Sequence, residues 1–190
     1  MPDHDTDQPA EMRSGFVALA GRPNVGKSSL TNAIVGQKVT IVSPRPQTTR
    51  HEIRGMLTRA DAQLVLVDTP GVHKPKTAMG KRLNRTATEA REDTDATVLV
   101  VDASKGVGGP GDARLMAAMP DDVIVAINKI DRLPQEQVLA AIKNAAALAK
   151  RFERGAVEIF PISARTNKGV PELTEYLIGL LPPGPLWYPE

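Results

Sequence analysis

Gly21-Arg22-Pro23-Asn24-Val25-Gly26-Lys27-Ser28 has the spacing G-x-x-x-x-G-K-[ST] and lies between a short apolar run and a helical pattern. In such a turn the glycines let successive backbone N–H groups curl around phosphate oxygens. The helix N-terminus behind them favours negative charge. The pattern places Lys27 on β- and γ-phosphates and the Ser28 hydroxyl on Mg2+. Asn24, Val25, Gly26 and Ser29 complete a backbone cradle over residues 23–29. A glycine-rich turn with a solvated lysine is the plainer alternative, and the flanking strand and helix count against it.

Three later loops carry complementary chemistry. Forty residues beyond Ser28, an apolar run ends in Asp68-Thr69-Pro70-Gly71. An acid at that strand end can hold the water shell of Mg2+, and Gly71 lets its N–H approach a γ-phosphate. Alone, the same letters make an ordinary Pro-Gly turn. Another run ends in Asn128-Lys129-Ile130-Asp131. The Asp131 carboxylate can accept from guanine N1–H and the exocyclic amine, whereas adenine offers no such pair and would leave it unpaired. Asn128 is expected to brace neighbouring loops and the Lys129 stem to cover the base, although a helix cap or turn also fits four letters. Finally, Ser163-Ala164-Arg165 supplies small residues, and the N–H groups of Ser163 and Ala164 are expected to meet guanine O6.

The elements that must position these loops follow from the patterning. Phe16–Ala20, Gln63–Val67, Thr97–Val101, Val123–Ile127 and Val157–Ile162 are apolar runs with little polar alternation, which suits strands buried on both faces. Helical patterns lie near 27–35, 80–92, 111–119, 135–153 and 171–181. His51–Arg59 alternates and joins Gln63–Val67 through a short turn, predicting a hairpin. The expected fold is α/β, a doubly wound, mostly parallel six-stranded sheet with one antiparallel edge strand and about five helices. In such sheets ligands sit at the carboxyl ends of the strands, where all four loops fall.

Composition removes other chemistries. The 190 residues contain no Cys, which excludes disulfides, thiol catalysis and Cys-bound zinc. The three His are scattered, and no apolar run is long enough to span a membrane. A net charge of +2 is no nucleic-acid signature, and six aromatics leave little for base stacking. Residues 1–14 read as an acidic, disordered tail, 15–181 as one folded domain, and the Pro-rich 182–190 as an exit linker. A cytoplasmic location is expected, since residues 1–15 lack a signal pattern.

Four loops in the order phosphate, magnesium, base, base resemble the translation-factor-like class of P-loop GTPases, and the likeness covers the whole body. Gln47-Thr48-Thr49-Arg50-His51, Ile53-Arg54-Gly55 and Asp68-Thr69-Pro70-Gly71-Val72-His73-Lys74-Pro75 look like the bacterial Era family. Leu181-Pro182-Pro183-Gly184-Pro185-Leu186-Trp187-Tyr188-Pro189 resembles the segment that leads there into a K-homology RNA-binding domain. No such domain follows in this chain, so Trp187 and Tyr188 are expected to pack on an absent neighbour.

The resemblance implies a GTPase switch, with GTP or GDP and Mg2+, acting in 30S subunit assembly and 16S rRNA maturation. It implies a monomer whose RNA contacts lie mainly in the missing domain, and it allows peripheral membrane association. Thr49, with Thr48 second, is the expected loop ligand of Mg2+ and the γ-phosphate. The catalytic set implied is therefore Lys27, Thr49 and Gly71, and the metal set Ser28, Thr49 and, through water, Asp68. Ras-like GTPases carry a water-orienting Gln where this chain has Val72, so slow intrinsic turnover is expected. In related GTPases an Asn in the place of Asn24 helps to hold K+; a simple turn residue is the equal reading. Nucleotide-dependent ordering is expected in 37–51 and 70–85, both basic: a solvated surface or an rRNA-facing one.

Overall fold

The structure, a computed structural model, describes residues 11–36, 53–68, 94–155 and 157–188. Its strands are β1 (Arg13–Gly21), β2 (Ile53–Thr58), β3 (Ala62–Asp68), β4 (Ala96–Asp102), β5 (Ile124–Asn128) and β6 (Ile159–Pro161). They form one sheet in the order β2-β3-β1-β4-β5-β6. The β2–β3 pair is antiparallel and every other pair is parallel. The described helices are α1 (Lys27–Val35), α2 (Pro110–Ala118), α3 (Gln135–Arg151) and α4 (Val170–Leu180). The expected helix near 80–92 lies outside the described residues.

Side chains alternate across each strand, so uninterrupted apolar runs feed two cores at once. One core joins Leu19, Leu64, Leu66, Val98 and Val100 to Leu30 and Ile34 of α1 and Leu173 and Leu177 of α4. The opposite core joins Leu99, Val101, Val125 and Ile127 to Leu115 and Met116 of α2 and Ala145 and Leu148 of α3. The four inner strands β3, β1, β4 and β5 therefore end against packed layers, which holds the loops above them in register.

The start of β1 lies beside residues 182–188. β1 begins at Arg13, whereas its pairing with β4 begins only at Val17. Up to Val17, the edge of β1 that faces β4 has no β4 partner, and backbone groups so placed need other partners. Residues 182–188 help to supply them. Ser14 N–H donates to Pro182 O at 3.1 Å, Arg13 bridges Pro183, and the Ser14 hydroxyl donates to Pro185 O at 2.6 Å.

Trp187 and Tyr188 both pack on this chain, with Trp187 still half exposed. The Trp187 ring meets Phe16 edge-on at 5.2 Å, and Tyr188 is buried with Phe16, Val65 and Val67. The wholly buried Gln63 amide clamps both. Its Oε1 accepts from Trp187 N–H (2.9 Å) and Tyr188 N–H (3.0 Å), and its Nε2 donates to Tyr188 O (2.9 Å). Replacing Gln63 by Ala orphans these groups, so a loss of about 1–3 kcal/mol is expected. Urea unfolding followed by the single Trp checks it, and an unchanged midpoint would show the clamp to be idle.

Candidate nucleotide-binding site

β1 delivers the chain to the phosphate loop in a geometry that demands glycine. A Cβ on Gly21 would stand 2.6 Å from Val100 O, and one on Gly26 (φ 103°) 2.3 Å from Asn128 Nδ2. Gly26 caps α1 without a side chain, and the first turn holds no acid. The positive end of the helix is thus left uncompensated by protein groups of that turn. Val25 is buried, which anchors the loop from below, while Ser28 and Ser29 are exposed at its rim.

The Lys27 side chain folds back into the loop and donates to Gly21 O at 2.7 Å and Arg22 O at 3.2 Å. Burial holds its ammonium below the ordinary lysine range; Asp68 opposes that shift and Arg54 adds to it. An incompletely compensated cation beside helix-terminal amides is an electrostatic cradle for a polyphosphate.

Asp68 closes β3, where the sequence places a metal carboxylate, and here it pairs with the Arg54 guanidinium of β2. The register of β2 against β3 shifts between Ile53 and Gly55, so Arg54 sits at a bulge, a device that re-aims a side chain. The Ser28 hydroxyl and Asp68 carboxylate are hard oxygen donors. They suit Mg2+, which keeps waters and takes phosphate oxygens for the rest of its octahedron. Among the described residues no cluster of three His, Cys, Asp or Glu forms an all-protein metal cage. Thr49 and Gly71 lie outside the described residues, as do Thr48 and Val72.

β5 ends at the buried Asn128, whose side chain ties three loops together. Its Nδ2 donates to Val25 O at 2.9 Å, and its Oδ1 accepts from Lys129 N–H at 2.8 Å and Ala164 N–H at 3.0 Å. Lys129 takes φ 69° and stretches back over the phosphate loop. Its Nζ donates to Asn24 O and to Asp102 Oδ2, both at 2.6 Å. Asp131 stands in the short 3-10 turn Ile130–Arg132, and its Oδ1 accepts from the Ser163 hydroxyl at 2.7 Å.

Ser163 and Ala164 are also part of this network. Ser163 N–H donates to Lys168 O at 2.8 Å, and Ala164 N–H is held by Asn128. Both amides thus help to close the loop, while the Ser163 hydroxyl orients Asp131. Asn24 adopts φ 64°, a conformation that Asn tolerates better than most residues. The turn alone is one sufficient reason for an Asn at this position.

Residues 16–129, over half of the chain, match the family described as 50S ribosome-binding GTPase. The chain belongs to this GTPase family. It is 46% identical over 185 residues to GTPase Era of Mycolicibacterium paratuberculosis, covering 95% of this chain and 60% of that one. A crystal structure of Era with MgGDPNP and nucleotides 1506–1542 of 16S ribosomal RNA superimposes with TM-score 0.72 at 35% identity. Aquifex aeolicus Era bound to GDP·AlF4− gives TM-score 0.68 at 33% identity. Each structural match covers 94% of this chain and 60% of the other, so the chain spans about 60% of the length of these relatives.

Against that family frame, sequence reasoning missed two residues. Asp102 ends β4 with its side chain 4% exposed. Burial pulls its carboxyl upward, but hydrogen bonds from Lys129 and Ser104 outweigh this and hold it below the usual carboxylate range. Its only sequence signal is an acid closing an apolar strand, the same signal that marked Asp68. Arg54 gave none, because its aim depends on the bulge. Among the described residues, no helix is long and apolar enough to cross a membrane.

Proposed function

We propose that this chain binds guanine nucleotide with Mg2+ and hydrolyses GTP, serving as the switch of a cytoplasmic ribosome-assembly factor. The Asn128 network carries the reading, because it puts the phosphate loop, the base loop and the 163–165 loop into one site. Asp131, oriented by Ser163, would select guanine, and the stem of Lys129 would cover the base. Lys27 would exchange its carbonyl partners for β- and γ-phosphate oxygens. Ser28 and Asp68, with Thr49, would hold Mg2+, and the bound ion would neutralise charge on the β–γ bridge. Binding would therefore draw Asp68 away from Arg54. Gly71 N–H and Thr49 would report the γ-phosphate, coupling segments 37–51 and 70–85 to nucleotide state. Val72 has no polar group with which to orient water, in keeping with slow turnover.

Calorimetry with Mg2+ should show GDP binding and at least a hundredfold weaker ADP binding, since an acceptor covered by the base but left unpaired rejects the wrong base strongly. Asp131→Asn should move the preference toward xanthosine diphosphate. Equal affinity for GDP and ADP would overturn the assignment.

Asn24 is also proposed to hold K+ beside the β–γ bridge. Its side chain is exposed at the rim and makes no hydrogen bond among the described residues. Turnover should be faster in KCl than in NaCl; equal rates would reduce Asn24 to a turn residue.

The small subunit is the proposed destination, because the Era complex contains 16S ribosomal RNA. The family description names the 50S particle, which supports a second reading. Depleting the protein in its host should lower the 30S to 50S ratio and leave immature 16S rRNA. A deficit confined to 50S particles would favour the second reading.

A further inference from the structure

We propose that Asp102 is a positioning residue for the guanine nucleotide, its buried carboxylate fixing the Lys129 side chain across the base site while Ser104 fixes the carboxylate. The inference rests on the nucleotide reading above and names a residue that reading does not require.

Both carboxylate oxygens of Asp102 are engaged. Oδ1 accepts from Ser104 N–H at 3.0 Å and from the Ser104 hydroxyl at 2.6 Å, which leaves Oδ2 directed at Lys129 Nζ. The ammonium also reaches Asn24 O, so the flexible stem is strung between the end of β4 and the phosphate loop. A lysine side chain is otherwise rich in rotamers, and immobilising one on ligand binding costs affinity. Here that ordering precedes the ligand. Lys129 is only 20% exposed and Asp102 4%, so the pair is screened far less than a surface ion pair. Asp102 itself belongs to a different strand from the base loop and reaches the site only through Lys129.

Asp102→Asn keeps an oxygen for Ser104 and replaces the Lys129 acceptor with a donor. Affinity for GDP with Mg2+ should fall about tenfold or more, as for losing a charged hydrogen bond. The loss should appear as faster GDP dissociation. Three readouts separate positioning from a merely structural role. The ratio of GDP to inosine diphosphate affinity should stay as in the wild type, because Asp131 reads the exocyclic amine. In a Lys129→Met background the substitution should cost nothing further. Ser104→Ala should show a smaller loss in the same direction, and it too should vanish in Lys129→Met.

Unchanged GDP affinity, a collapsed GDP to inosine diphosphate ratio, or full additivity with Lys129→Met would each overturn the proposal. Should Asp102→Asn not fold, the Ser104→Ala cycle decides by the same criteria. A wild-type chain that fails to prefer GDP over ADP would sink the nucleotide reading, an outcome distinct from any of these.

Discussion

The side chain of Asn128 is the contact on which the site depends. Three of its hydrogen-bonding capacities are spent on Val25, Lys129 and Ala164, and the residue is only 2% exposed. Buried polar atoms must be paired, so each loop is held where the amide requires it. The constraint runs in both directions. Gly26 must lack a side chain because the amide occupies the space a Cβ would fill, and β5 must end where it does for the amide to reach Val25. Three segments distant in sequence are thereby reduced to one geometric object.

Electrostatics gives that object its polarity. The phosphate loop gathers a buried ammonium, a helix N-terminus without an acid, and Arg54 nearby, while Asp68 is the carboxylate that partly offsets them. The base loop is balanced differently. Lys129 and Asp102 neutralise one another within the protein, and Asp131 meets Ser163 at one oxygen and Arg165 at 3.8 Å from the other. One end is thus suited to an anion and the other to a neutral donor edge.

Much of this was legible in the residues. Uninterrupted runs such as Leu64–Val67 announce a strand covered on both faces, and glycine at 21 and 26 announces backbone in close approach. The hairpin of β2 and β3 and the bracing role of Asn128 follow the sequence reading. What was not legible depends on register. Arg54 reaches Asp68 only because β2 slips by one residue. The bonds of Ser163 to Lys168 O and to Asp131 depend on how the loop closes on itself, which no residue type announces. The Pro-rich stretch reads as a linker by composition. The unpaired edge that receives it exists only once β1 and β4 are known to start four residues apart.

That edge has a mechanical consequence. β1 runs from the strap at Arg13–Phe16 to the phosphate loop at Gly21, and nine residues of strand extend about 30 Å. Gln63 secures the same strap to the adjoining strand. A pull applied to residues 182–188 is therefore borne by two neighbouring interior strands of the sheet and not by a surface loop. The strand taking up that tension is the one whose far tip cradles the phosphates.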